Sequence, residues 1–200
     1  MLFSPMKKIL LLFLILISTK AKSQDTLTHF NQKRNEINQT GMKVLGGWAI
    51  ANIAVGSVAF YRTKGTARYF NQMNIFWNLI NLGIATAGFY GAKEASHKQF
   101  DLKQSLAEQR KTERILLINA GLDLAYIAGG VYLNKRGISK NSDRLHGYGN
   151  AVILQGAFLF LFDSAMFGIQ HQHQNSGESL FSNLKPSFDG KQIGMIYKIR

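Results

Sequence analysis

An all-α membrane protein, a bundle of four transmembrane helices arranged as two hairpins with a short β-like tail outside the bilayer, is the fold class the sequence predicts. Three observations predict it. Apolar blocks of about 18 to 22 residues recur along the chain, each able to cross a hydrocarbon core of roughly 30 Å. The basic residues fall in the connectors between those blocks, as the loop charges of a membrane protein do. The N-terminus has the three-part layout of an export signal. A mean hydropathy of −0.06 conceals this pattern, because it averages apolar blocks with strongly polar connectors.

The first element is MKKILLLFLILISTKAKSQ, with Met6 as a candidate true start. Lys7 and Lys8 precede an apolar run from Ile9 to Ile17, which is too short to span a bilayer. Ala21 and Ser23 suit small-residue recognition ahead of Gln24, so 1–23 reads as a cleaved signal peptide, with an uncleaved anchor as the rival. Cleavage would take the formal charge from +13 to about +9. A polar lead-in, 24–43, follows as a helical or irregular stretch. The expected spans are 44–61, 73–92, 115–133 and 149–170, with a charged linker at 93–114 and an extramembrane tail at 171–200.

Short basic turns, YRTKG after span one and LNKRG after span three, suggest a duplicated hairpin. A cleaved signal places the mature N-terminus outside, which makes both basic turns cytoplasmic, as the positive-inside rule requires. The linker 93–114 mixes Lys and Arg with Glu94, Asp101, Glu108 and Glu113, and reads as a solvated helix outside the membrane. Helical spans exclude an outer-membrane barrel. The expected location is therefore a bacterial inner membrane, multi-pass, with both mature termini periplasmic. In the tail, a D-G turn signal at Asp189-Gly190 precedes alternating Ile193, Met195, Tyr197 and Ile199, a strand pattern.

Several function classes drop out. The net charge of +13 does not mark a nucleic-acid binder, because the cations are not gathered on one face or interleaved with aromatics. The absence of cysteine excludes disulfides, Cys-ligated zinc, iron–sulfur clusters and thiol catalysis. No Ser-His-Asp order, P-loop, GxGxxG or HExxH occurs, so no enzyme and no cofactor is expected. His171-Gln172-His173 is too sparse for a metal site and reads as a solvated pair. Trp48 and most tyrosines lie near span ends, fitting interfacial anchoring, whereas Trp77 is deep enough to pack.

The polar residues inside the spans carry more information. At about 1.5 Å per residue, Asp123, Asp163, Asn52 and Asn81 all fall roughly 10 to 15 Å below the outer ends of their spans. Asn71, Asn74, Asn78 and Asn81 share one face of span two, which must point into the bundle, since unpaired amides in lipid are costly. Asn119 stands one turn before Asp123, and Gln155 lies near the face of Asp163. Gly121, Ala125 and Gly129 form a small-xxx-small ridge suited to close helix approach. Two readings stay open. The amides act as interhelical glue, or Asp123 and Asp163, assisted by Asn52, Asn78, Asn81 and Asn119, form a pocket that accepts a proton or cation. Ionisable groups at such depth usually mark a functional path.

The strings WAIANIAVG, YFNQMNIFWNLINLGIA, LINAGLDLAYIAGG, YLNKRG and RLHGYGNAVILQGAFLFLFD resemble an uncharacterised family of small membrane proteins from Bacteroidota, over roughly Gly46 to Phe167. The resemblance implies a signal peptide, four spans and a bacterial envelope, and carries over no activity. The leading expectation is a structural or partner-binding accessory subunit in the lipid bilayer, meeting a second copy or another membrane protein. The alternative is a small proton- or cation-coupled transporter built on the Asp pair.

Overall fold

The computed structural model describes the backbone of residues 5–182, 184–188 and 193–197, and the side chains of 25–177. Four helices follow in order: α1 (Pro5–Arg62), α2 (Gly65–Ala95), α3 (Leu102–Ser139) and α4 (Asp143–Ser182). Two strands, β1 (Leu184–Phe188) and β2 (Ile193–Tyr197), pair antiparallel with Leu184 opposite Tyr197. The segment Met1–Ser4, the Asp189-Gly190 turn signal and Ile199 lie outside the described residues.

Three of the helices are long and apolar enough to cross a membrane, over Asp25–Arg62, Leu102–Ser139 and Asp143–Gly177. The second helix is not among them, because its four asparagines lower its hydropathy. Its residues are nevertheless arranged inside out. Asn71, Asn74, Asn78 and Asn81 are buried, while Phe76, Leu79, Ile80 and Ile84 are exposed.

The helices form two hairpins, α1–α2 and α3–α4, which join chiefly through α2 against α4. Each hairpin turns tightly. Gly65 opens α2 with φ +56°, a conformation that favours glycine, and faces the Asp143 carboxylate at the start of α4. Thr66 Oγ1 donates to Asp143 Oδ1 at 2.5 Å, so the two turns are clipped together. At the opposite end, Asp101 caps α3 in a reciprocal capping box with Gln104.

Glycines set the closeness of α3 and α4. A Cβ on Gly130 or Gly137 would strike the backbone of α4, and one on Gly149 or Gly156 the backbone of α3. The Gly121–Ala125–Gly129 ridge expected to serve this purpose does not. Gly121 and Gly129 have no neighbour within 4 Å of a built Cβ, and Ala125 is exposed. The rotation of α3 is fixed instead by a seven-residue seam, Asp123, Gly130 and Gly137, all buried. That seam turns the other ridge outward.

The lead-in takes the helical of its two expected forms, and the linker differs from expectation. Residues 25–42 continue α1 as helix, and the linker consists mostly of the ends of α2 and α3, with only 96–101 outside the helices. Rather than being solvated all round, α3 buries Ser105, Gln109 and Glu113 on one face. These meet α1 and α4 in a polar collar. Asn31 donates to Ser105 Oγ at 2.8 Å, and Gln170 donates to Asn38 Oδ1 at 2.7 Å. Gln109 donates to the Gln170 carbonyl at 2.8 Å and to Glu113 Oε1 at 3.1 Å. Side-chain amides here replace the solvent that a free linker would have had.

The histidine pair belongs to this collar and is split by it. His171 Nδ1 lies 3.1 Å from Glu113 Oε2, whereas His173 Nε2 lies 2.9 Å from the Phe30 carbonyl and stacks on the Phe30 ring. Burial pulls the His173 pKa below its ordinary value of 6.5; the Phe30 carbonyl opposes this, and the nearby Arg34, Lys33 and His29 reinforce it. The folded state therefore prefers neutral His173. The associated stability is present above pH 6.5 and is lost as pH falls below that value towards the lower folded pKa. Hydrogen-exchange protection factors in 170–177, corrected for the intrinsic pH dependence of exchange, should fall on acidification through pH 6, and His173→Phe should abolish that fall while keeping the stack. An acid response unchanged in the variant would assign it to another group.

Candidate functional site

The buried polar residues of the helices divide into two groups, and the six residues proposed from sequence are split between them. The first group is joined by hydrogen bonds, although Asn78 Oδ1 has no partner among the described residues. Gln155 Nε2 donates to Asn74 Oδ1, and Trp48 Nε1 donates to Gln155 Oε1 at 3.0 Å. Asn74 Nδ2 donates to Asn52 Oδ1 at 2.9 Å, and Asn78 Nδ2 donates to the Asn74 carbonyl at 2.8 Å. Asn52 itself donates back to the Trp48 carbonyl at 2.8 Å. This hub ties α1, α2 and α4 together. Asn52 and Asn78 are thus parts of the hub, since the α1–α2 contact brings Asn52 to Asn74 and Asn78 stands one turn from Asn74 on α2.

Trp48 also joins the hub. Its ring stacks on Phe158 at 3.9 Å, and its N–H is spent on Gln155. Asn74 is the hub's centre and was not among the proposed pocket residues. Its place in the Asn71–Asn81 stripe was the available signal.

The second group is open. Asp163 on α4 lies within hydrogen-bond reach of both Asp123 and Asn119 on α3. Asp123 is 3 % exposed, and its Oδ2 has no hydrogen-bond partner among the described residues. Asn81 on α2 is equally buried, and its Nδ2 also lacks a partner. All four residues line a cavity of about 760 Å³.

That cavity exists because α2 and α3 stand apart: they are joined in sequence yet do not pack against each other. They meet at the rings of Trp77 and Tyr126, edge to face at 5.0 Å, which close the inner end of the space. Arg34, Phe100 and Glu108 line its outer end. Ile80 and Ile84 of α2, with Ile115 and Leu122 of α3, line the cavity and are also about half exposed on the outer apolar surface. The space is therefore a cleft that opens sideways. Nothing in the residue pattern announces it, because a gap between helices is a property of packing.

The arrangement can offer donors and acceptors to a ligand, and two carboxylates in contact can hold one proton between them. Among the described residues, no group of three or more His, Asp or Glu gathers as a metal site.

Fold and site together define a helical protein of the kind whose long apolar helices could cross a membrane, with its polar residues turned inward. Residues 44–164 match a family of unknown function, DUF6992, and the chain belongs to that family. No curated protein and no solved structure matches it.

Proposed function

We propose that the protein is a four-span integral protein of a bacterial inner membrane, with cytoplasmic basic turns and periplasmic mature termini, acting as a binding subunit rather than an enzyme. The observation that carries this reading is the inverted burial of α2, with amides inside and Phe76, Leu79, Ile80 and Ile84 outside. In water that pattern would expose the helix's best apolar surface. In lipid it is the arrangement that keeps the amides away from hydrocarbon. The cleft between α2 and α3 then faces the bilayer, and a ligand or partner would enter it from the lipid.

The absence of cysteine makes the topology directly testable. Single cysteines at Lys64, Lys98 and Lys140, all exposed, are expected to label from opposite sides. Lys64→Cys and Lys140→Cys should react only from the cytoplasm, and Lys98→Cys only from the periplasm. Labelling of Lys64→Cys and Lys98→Cys from the same side would refute α2 as a span.

A second reading, proton or cation coupling, draws on the contact between Asp123 and Asp163. It requires thermal stability of the purified protein to depend on a cation or on pH through these two residues. Loss of that dependence in Asp123→Asn would support it.

A further inference from the structure

The cleft's chemistry narrows what it would take, and we propose that it binds a neutral long-chain lipid bearing a free hydroxyl group, with the hydroxyl between Asn81 and Asp123 and the chain leaving sideways between α2 and α3. The inference rests on the cleft-binding reading above and adds the class of ligand.

The deep end holds an amide N–H without an acceptor and a carboxylate oxygen without a partner, both on residues at least nine-tenths buried. A hydroxyl meets both, accepting from Asn81 Nδ2 while its own proton is shared with Asp123. A bare acyl chain meets neither. A protonated amine would satisfy the carboxylate and leave the Asn81 N–H unpaired. A phosphate head would lie against two carboxylates at a depth where charge is expensive.

The outer end argues against a phosphate as well. Arg34 is already engaged, donating to the Ser105 carbonyl at 3.2 Å, lying over the Phe100 ring and facing Glu108. It offers no uncompensated cation. Lipids with small uncharged heads are the ones able to bring a polar group so far below the interface. From Asp123 to Glu108 the cleft follows α3 for about 22 Å, long enough for an extended chain. Its volume of about 760 Å³ lies within the range of known ligand pockets.

Trp77 at the closed end reports occupancy. In phosphatidylcholine vesicles containing the full-length protein, chain-brominated diacylglycerol is expected to quench Trp77 fluorescence saturably at low mole fraction. A brominated long-chain prenol provides a second arm, and whichever of the two quenches more tightly identifies the source of the hydroxyl. Brominated phosphatidylcholine should show only the gradual quenching of bulk lipid. The saturable component should vanish in Trp77→Phe. Asn81→Ala and Asp123→Ala should each raise the half-saturating fraction about three- to tenfold, the worth of one hydrogen bond. Ile84→Phe, which crowds the cleft from its exposed rim without adding a tryptophan, should weaken or abolish saturation even if the polar variants fold poorly. Equal saturable quenching by phosphatidylcholine would overturn the hydroxyl specificity and leave a lipid-binding cleft. Absence of saturable quenching by every lipid would overturn the cleft reading itself.

Discussion

Replacing Gly149 with alanine is expected to lower the unfolding free energy by about 2–3 kcal/mol, with a similar loss for Gly137→Ala. A Cβ on Gly149 would come within 2.7 Å of the Gly130 carbonyl oxygen, and one on Gly137 within 2.7 Å of the His146 Cα. Both obstacles are backbone, so no side-chain rotation relieves them; α3 and α4 must move apart. Gly121→Ala and Gly129→Ala, by contrast, should stay within about 0.5 kcal/mol of the wild type or gain slightly, because alanine is the better helix former. Unfolding of the four variants by denaturant in mild detergent separates the two pairs. A Gly149→Ala protein as stable as Gly121→Ala would show that α3 and α4 do not approach at this seam.

The same glycines show how far the sequence could be read. Small residues four apart announced a close helix contact on α3, and a close contact is there, but it uses Gly130 and Gly137 rather than the 121–129 ridge. Spacing alone offered two ridges on one helix. The choice between them is made by Asp123, whose burial beside Asp163 fixes the rotation of α3. The inward face of α2 was legible for the opposite reason. Four amides at three- and four-residue spacing leave only one face that can turn towards lipid. Positions along the helices were also legible, because rise per residue places Asp123 and Asp163 at similar depth. Lateral placement was not. Asn52 shares that depth, yet it packs against Asn74 on the α1–α2 side, as does Asn78, and neither contributes to the Asp pair. The contacts of the lead-in were not legible. Its amides and Arg34 look like solvated residues, and their partners at Ser105 and Gln170 are more than 70 residues away in sequence.

Gln155→Leu is expected to cost about 2 kcal/mol, the second large effect. Gln155 is fully buried, and its loss strands the Trp48 N–H and one lone pair of Asn74 at once. In a soluble core each stranded group would cost about 1–3 kcal/mol. In a membrane the unfolded helices also find partners, and an interhelical hydrogen bond averages nearer 0.6 kcal/mol, with a maximum of about 1.7. Two bonds lost together place the estimate between those limits. In a Trp48→Phe background, which keeps the stack on Phe158, Gln155→Leu should cost about 1 kcal/mol less, since the indole donor is already gone. Asn81→Leu should cost under about 1 kcal/mol by the same measurement, because its amide nitrogen has no partner to strand. Equal costs for Gln155→Leu and Asn81→Leu would erase the distinction between a hydrogen-bonded hub and an open cleft. That distinction has a structural logic. The hub joins α1, α2 and α4 without any contribution from α3, which is held to α4 by backbone contact at the glycines. Because α2 is secured through the hub and α3 through α4, neither needs the other for support. The two can therefore stand apart and leave room between them for a ligand.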